Sequence, residues 1–152
     1  MFARRVEGPA LDRIARERHV GAAAPRVFAV VADHERMPEW FPAREVVRRR
    51  AGAPHPDGVG AVRVVRGAGL AVEEEVTAFE PGARLATVLV AGAPLRSARS
   101  ELRIAPEHGG TRVRWSVEFE ALVPGSGWLA RRLLARTLER ALAGLARRCG
   151  AD

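Results

Sequence analysis

Three charged side chains interrupt the apolar faces of the predicted elements, and they are the first candidates for chemistry. Glu74 shares the inward side of the strand LAVEEEVTAFE (70–80) with Val72. Arg131 lies in the apolar stripe of the last predicted helix, and Arg63 points inward in one of the two registers that VGAVRVVR allows. An unpaired charge in a core is costly. The three groups are therefore either a structural ion pair, of Glu74 with Arg63 or Arg131, or polar anchors in a ligand cavity.

The other reactive residue types form no recognised catalytic or metal-binding pattern. The four histidines are far apart, and none has metal-ligand spacing with another His or with Cys149. The pair His55 and Asp57 falls in a predicted loop, and Ser126 in GSGW fits a helix N-cap better than a nucleophile. No GxGxxG, Walker A or GxSxG motif occurs. We therefore expect no metal and no cofactor, and the sequence assigns no catalytic residue.

The net charge of +7 comes entirely from arginine, because the sequence contains no Lys, and it also lacks Asn, Gln and Tyr. These missing residues have AT-rich codons, so a GC-rich genome accounts for the composition without selection for a basic surface. The arginines are also spread along the chain. A basic protein can still meet phosphates or anionic lipid. We nevertheless do not expect nucleic acid to be the main partner.

The chain has 152 residues, which is enough for one domain with a substantial core. Its single cysteine excludes an internal disulfide. No apolar run is long enough to span a bilayer, and the sequence MFARRVEGPALDR has no apolar stretch of the kind found in secretory signals. We therefore expect a cytoplasmic protein without a transmembrane segment.

Alternating apolar and polar residues dominate the middle of the chain. An early strand is predicted in DRIARERHV, and six more follow at 44–50, 59–66, 70–80, 83–91, 98–105 and 111–122. Turn signals such as Pro81-Gly82 and Gly109-Gly110 separate these strands, and no helical pattern lies between the last six. The six are therefore expected to form an antiparallel meander.

Helical patterns flank the strands. APRVFAVVAD at 24–33 has Pro25 in its first turn, and the following HERMPEWF can form only one irregular turn because Pro38 interrupts it. The final segment, GSGWLARRLLARTLERALAGLARRC, has an apolar stripe that includes Leu138 and Leu142. The element order predicts an α+β domain: a strand, two short helices, six strands and one long helix.

We expect this single domain to occupy residues 11–150, after an N-terminal tail at residues 1–10. In this order the segments resemble the START-like helix-grip superfamily, called SRPBCC, and especially its polyketide cyclase/dehydrase-type members. The resemblance covers 12–149. It is carried by APRVFAVVAD, Trp40-Phe41-Pro42, VTAFEPGARL, GGTRVRWSVEFE and the long last helix.

The resemblance implies a curved seven-stranded antiparallel sheet wrapped around the C-terminal helix, with two short helices after the first strand closing one edge. It also implies a cavity between sheet and helix that takes a small hydrophobic or aromatic molecule, lipid-like or polyketide-like. The ligand-binding residues expected there are Met37, Trp40, Phe41, Arg63, Val72, Glu74, Ser100, Leu102, Trp115, Val117, Arg131 and Leu134. Met37 and Phe41 are expected to pack inward, whereas Trp40 either plugs the cavity or flanks its entrance.

Binding or carriage of the small molecule is favoured over catalysis. The inward faces are poor in acid and base groups, and Glu74 is their only plausible carboxylate. A polyketide cyclase, aromatase or dehydratase acting in the same cavity is the alternative, and non-catalytic binding of a protein or nucleic-acid partner is a further one. A homodimer is compatible with the sequence, although no surface in it specifies one.

Overall fold

Seven strands form one antiparallel sheet in the computed structural model, which describes residues 11–150. The strands are β1 (Asp12–Val20), β2 (Glu45–Arg50), β3 (Val62–Gly67), β4 (Leu70–Glu80), β5 (Arg84–Ala91), β6 (Leu95–Glu107) and β7 (Gly110–Ala121). Their spatial order is β1-β7-β6-β5-β4-β3-β2, so the last six form the predicted meander and β1 pairs with β7. The predicted tail at 1–10 lies outside the described residues.

Three helices accompany the sheet in the described part of the chain. Helix α1 (Ala24–Ala32) has Pro25 in its first turn, and a 3-10 helix (His34–Glu39) containing Pro38 follows it. Helix α2 (Gly127–Gly150) has 24 residues and is therefore about 36 Å long. It contacts β1, β7 and α1. The predicted α+β helix-grip architecture is confirmed, including the two short helices after the first strand.

The core lies between the sheet and α2. Alternation along β7 buries four side chains on the same face, Val113, Trp115, Val117 and Phe119. The apolar stripe of α2 packs on the same core with Ala135, Leu138, Ala141, Leu142, Leu145 and Cys149. Strands and helix therefore cover each other with the residues that the periodicity of the sequence placed inward.

The opposite face of the sheet carries ion pairs between neighbouring strands. Arg112 and Arg114 of β7 both donate to Glu17 of β1. Arg49 and Arg50 of β2 also pair on this face, with Glu73 and Glu75 of β4. Arg48, the remaining arginine of the 48–50 triplet, pairs with the mostly buried Asp57 instead. Exposed pairs of this kind add little stability. They do mean that the triplet is not an uncompensated basic patch.

Two strands differ from their predicted bounds by more than one residue at an end. β3 begins at Val62 rather than at residue 59, because the preceding residues turn sharply at Gly60, which has a φ of 90°. β6 extends from Leu95 to Glu107, since it pairs with β7 along this whole length. Register shifts occur at the start of β6 and within β4, and irregularities of this kind locally bend a strand and increase its twist.

Candidate functional site

A cavity of about 330 Å³ lies between the sheet and the first half of α2. Its walls come from β3, β4, β5, β6 and β7 on one side and from α2 on the other, and most of the lining side chains are apolar. This volume is at the small end of the range of roughly 300–1,000 Å³ that is usual for small-molecule sites. The cavity therefore suits a compact apolar ligand.

One ion pair lies in the wall of this cavity. Arg63 of β3 and Glu74 of β4 are direct partners in the strand register. The Nε and Nη2 atoms of Arg63 donate to Oε2 of Glu74 at 3.0 and 2.9 Å. The Arg63 side chain is 5% exposed and that of Glu74 is 23% exposed. The pair is thus a nearly buried, electrically neutral polar unit in an apolar wall.

Two hydroxyl groups extend this polar area. Thr87 of β5 and Ser100 of β6 are partners across the two strands, and both line the cavity. The indole Nε1 of Trp115 donates to Oγ of Ser100 at 2.6 Å. Since the Ser100 hydroxyl accepts this bond, its own proton remains free to donate toward a ligand.

An aromatic cluster closes the inner end of the cavity. The ring centroid of Trp40 lies 5.9 Å from that of Phe41 and 6.0 Å from that of Trp115, and the centroids of Phe41 and Trp115 are 5.8 Å apart. Beyond the cluster only about 10 Å³ remains, beside Leu102 and Trp40. That space is at the lower limit for one water molecule. The aromatic rings therefore fill the inner end but leave the main cavity open.

Close contact between α2 and the 3-10 helix segment holds Trp40 in place. A Cβ atom at Gly144 would lie 2.1 Å from the backbone oxygen of Trp40. Glycine thus lets the two elements approach, and the Trp40 side chain is only 5% exposed. Its Nε1 has no hydrogen-bond partner among the described residues. This placement is that of a core side chain.

The mouth of the cavity lies between the β3–β4 turn, the β5–β6 turn and the start of α2. Its apolar rim includes Leu70, Pro94 and Leu133. Leu70 is 43% exposed and Leu133 is 56% exposed, so the rim presents large apolar side chains to solvent. A ligand can enter here without displacing the aromatic cluster at the other end.

A family model described as "Polyketide cyclase / dehydrase and lipid transport" matches residues 12–150. The chain belongs to this family. The match covers nearly the whole sequence, and it confirms the predicted START-like superfamily and its polyketide cyclase/dehydrase branch. A search of curated protein sequences finds no match.

Solved structures agree with this family fold. A START superfamily protein from Mycobacterium smegmatis is 20% identical, with 90% of this chain and 96% of that chain covered and a TM-score of 0.76. A solution NMR structure from Thermobifida fusca is 26% identical, and the match covers 91% of this chain and 93% of that chain with a TM-score of 0.76. Ginseng major latex-like protein 151 from Panax ginseng is 12% identical, with coverages of 93% and 99% and a TM-score of 0.73.

In this polyketide cyclase/dehydrase family member, nine of the twelve predicted ligand-binding residues line the cavity: Met37, Phe41, Arg63, Val72, Glu74, Ser100, Trp115, Val117 and Leu134. Trp40 and Leu102 instead line the small space behind the aromatic cluster. Arg131 is outside the cavity lining, and its Nη2 donates to Asp12 at 3.2 Å. Of the two partners considered for Glu74, the structure therefore selects Arg63.

Sequence reasoning missed Thr87 and Leu133. Thr87 alternates in phase with Leu85 and Leu89 in ARLATVLVA, so the period of two could have placed it on the inner face. Leu133 could not have been found in this way, because it lies on the flank of α2 beside the main apolar stripe. Its contact with the cavity depends on how the helix is rotated against the sheet.

His34 is a second unusual group in this family member, but it does not line the cavity. It is completely buried at the start of the 3-10 helix, and its Nδ1 lies 3.6 Å from Oδ1 of Asp57. Burial, together with the positive charges of Arg63 and Arg48, lowers the pKa of His34 to about 2. Neither ring nitrogen has a hydrogen-bond partner among the described residues. The imidazole is therefore neutral.

Other reactive groups do not assemble into a second site. Within residues 11–150, no three His, Cys, Asp or Glu side chains come together as metal ligands. Cys149 is buried in the core, and burial raises the pKa of its thiol. None of the helices in the described part of the chain is long and apolar enough to cross a bilayer. The cytoplasmic location and the homodimer stay predictions.

Proposed function

We propose that this protein binds and carries a small, mostly apolar molecule in the cavity between the sheet and α2. The observation that carries the proposal is an open apolar cavity of about 330 Å³ with a single polar area in its wall. The family description, which names lipid transport beside cyclase and dehydrase activity, supports a ligand of this class. The fit requires a molecule of modest size, since the aromatic cluster already occupies the inner end.

The polar area favours a ligand whose polar end carries no charge. Arg63 and Glu74 neutralise each other, so neither leaves a net charge for an ionic ligand to balance. Thr87 and Ser100 add hydroxyl groups that can donate or accept. A hydroxyl, phenol or ketone group matches these partners. A free carboxylate on the ligand would be repelled by the negative charge of Glu74. It would also be buried against an apolar wall without a cationic side chain left to pair with it.

Binding is favoured over catalysis by the composition of the wall. Among the described residues that line the cavity, Glu74 is the one carboxylate and none is His or Cys. Oε2 of Glu74 already accepts two hydrogen bonds from Arg63. General acid–base catalysis needs a group free to exchange a proton with the substrate. The cyclase and dehydratase alternatives therefore have little support in this site.

Native mass spectrometry of the protein purified from its own host, without detergent, tests the proposal. We expect a fraction of the protein to carry a co-purifying apolar molecule, which organic extraction releases for identification. The proposal would be wrong if the protein is ligand-free and also fails to bind N-phenyl-1-naphthylamine, a neutral apolar fluorescent probe. Chemical conversion of the released molecule on incubation with protein would instead favour the enzyme alternative.

A further inference from the structure

The first turns of α2 present three large apolar side chains to solvent. Trp128 is 67% exposed, Leu129 is 46% exposed and Leu133 is 56% exposed. Val123, in the loop before the helix, is 61% exposed. Single exposed apolar residues are common on protein surfaces, but a group of four within eleven consecutive positions marks an interaction surface.

Three arginines continue this surface along the helix. Arg132, Arg136 and Arg140 follow at four-residue spacing, so they lie along one side of α2. All three are exposed, and none forms an ion pair with any residue in the range 11–150. The one acidic residue of α2, Glu139, is already paired with Arg16 of β1. Within the described part of the chain, the positive charge of this side is therefore uncompensated, unlike that of the 48–50 triplet.

The same surface meets the mouth of the cavity. Leu133 belongs to both, because it lines the cavity and is more than half exposed. On the opposite side of the mouth, Ala43 and Gly67 line the cavity. Arg44 follows Ala43 in the chain, and Arg66 precedes Gly67. Both arginines are exposed, and neither has an ion-pair partner in the described structure. Apolar side chains thus surround the opening, with positive charges beyond them.

We propose that this surface docks on an anionic lipid bilayer with the cavity mouth toward the membrane. The docking face consists of Trp128, Leu129 and Leu133 with Arg132, Arg136 and Arg140. The apolar side chains insert between headgroups, where tryptophan is especially favourable, and the arginines bind the negative surface. Each arginine near an anionic membrane strengthens the binding about fivefold. An apolar ligand can then pass between bilayer and cavity without crossing water.

Other occupants fit this face less well. A two-fold dimer through the docking face would bring the arginines of both copies into one interface whose single helix carboxylate, Glu139, is already paired with Arg16, and like charges at an interface are unfavourable. Nucleic acid would satisfy the arginines, but it offers no apolar partner for Leu129 and Leu133. An anionic bilayer satisfies both the charges and the apolar side chains, so the observations favour it.

Vesicle co-sedimentation of the full chain tests the proposal without any ligand, so its outcome is independent of the proposed cavity function. We expect binding to vesicles of phosphatidylglycerol and phosphatidylcholine, and little binding to phosphatidylcholine alone. Arg136→Glu removes one positive charge and adds one negative charge, so it should weaken the binding about thirtyfold. The matched control is Arg99→Glu, which should leave binding nearly unchanged. Arg99 is also exposed and has no ion pair within residues 11–150, but it lies on the opposite face of the sheet.

Tryptophan fluorescence gives a second readout. Trp40 and Trp115 are buried, so a blue shift on adding vesicles reports mainly on Trp128. Trp128→Phe should remove the shift while the protein still sediments with vesicles. The proposal is overturned by equal binding to both vesicle types, by no binding, or by an equal loss in both arginine variants. Concentration-dependent self-association that Trp128→Ser abolishes would also overturn it, in favour of a second copy.

Discussion

Arg63 and Glu74 face each other across β3 and β4, and two guanidinium nitrogens of Arg63 donate to one carboxylate oxygen of Glu74. Because Arg63 is only 4% exposed, loss of its partner leaves a buried charge without compensation. We expect Glu74→Ala to lower the free energy of unfolding by about 2–3 kcal/mol, measured by urea denaturation.

A double variant separates the charge from the packing. Replacing Arg63 and Glu74 together by leucine should change stability by less than about 1.5 kcal/mol, since no buried charge remains. The control is Glu73→Ala at the neighbouring position, whose pair with Arg49 is exposed and should contribute less than about 1 kcal/mol. If Glu74→Ala costs no more than Glu73→Ala, the pair is effectively solvated and does not act as a buried unit.

Filling the cavity should block ligand binding. Ala98 of β6 lines the cavity, and Ala98→Trp places an indole in that space. We expect loss of N-phenyl-1-naphthylamine binding in a fluorescence titration. Ala105→Trp is the matched control, because Ala105 lies on the same strand but is exposed on the other face. Retained probe binding in Ala98→Trp would mean that the probe occupies another surface.

Trp40 is expected to act as a core plug rather than as an entrance gate. Its side chain packs against Trp115 and Phe41 and is 5% exposed. Trp40→Ala should therefore cost about 3–5 kcal/mol of stability, measured by chemical denaturation. The exposed Trp128→Ala should change stability by less than about 0.5 kcal/mol. A Trp40→Ala protein that stays stable but loses probe affinity would identify Trp40 as a gate instead.

His34 should make the protein sensitive to acid. Its pKa is about 6.5 in the unfolded chain and is lowered to about 2 by burial in the folded protein. The unfolded state therefore binds the proton first. The stability contributed by the neutral imidazole is complete above the unfolded pKa and is lost as the pH falls below it. Between about pH 8 and about pH 5 this loss amounts to about 2 kcal/mol.

His34→Leu removes the titrating group from the core. We compare the free energy of unfolding of the variant with that of the parent protein by urea denaturation. The difference in favour of the variant should be larger at about pH 5 than at about pH 8. His108→Leu, in an exposed turn, is the control for a histidine outside the core. Equal pH dependence of the parent protein and His34→Leu would show that His34 does not control acid unfolding.

Local periodicity in the sequence was sufficient to predict the strands and the helices, and the inward side of most of them. The period of two along β7 identified Trp115 and Val117 as inward residues, because neighbouring side chains of a strand necessarily point to opposite faces. The order of elements then carried the family resemblance. These properties depend on residues close together in the chain, so sequence alone determined them.

Only the tertiary structure decided which charged residues pair with each other and where the cavity is closed or open. Arg63 and Arg131 were equal candidates to pair with Glu74, and only the register of β3 with β4 selects Arg63. The placement of Trp40 depends on its contact with Gly144, more than a hundred residues away in the chain. Contacts of this kind arise from strand register and helix rotation. No local pattern encodes either quantity, which is why the sequence predicted the lining of the cavity better than its closed end or its mouth.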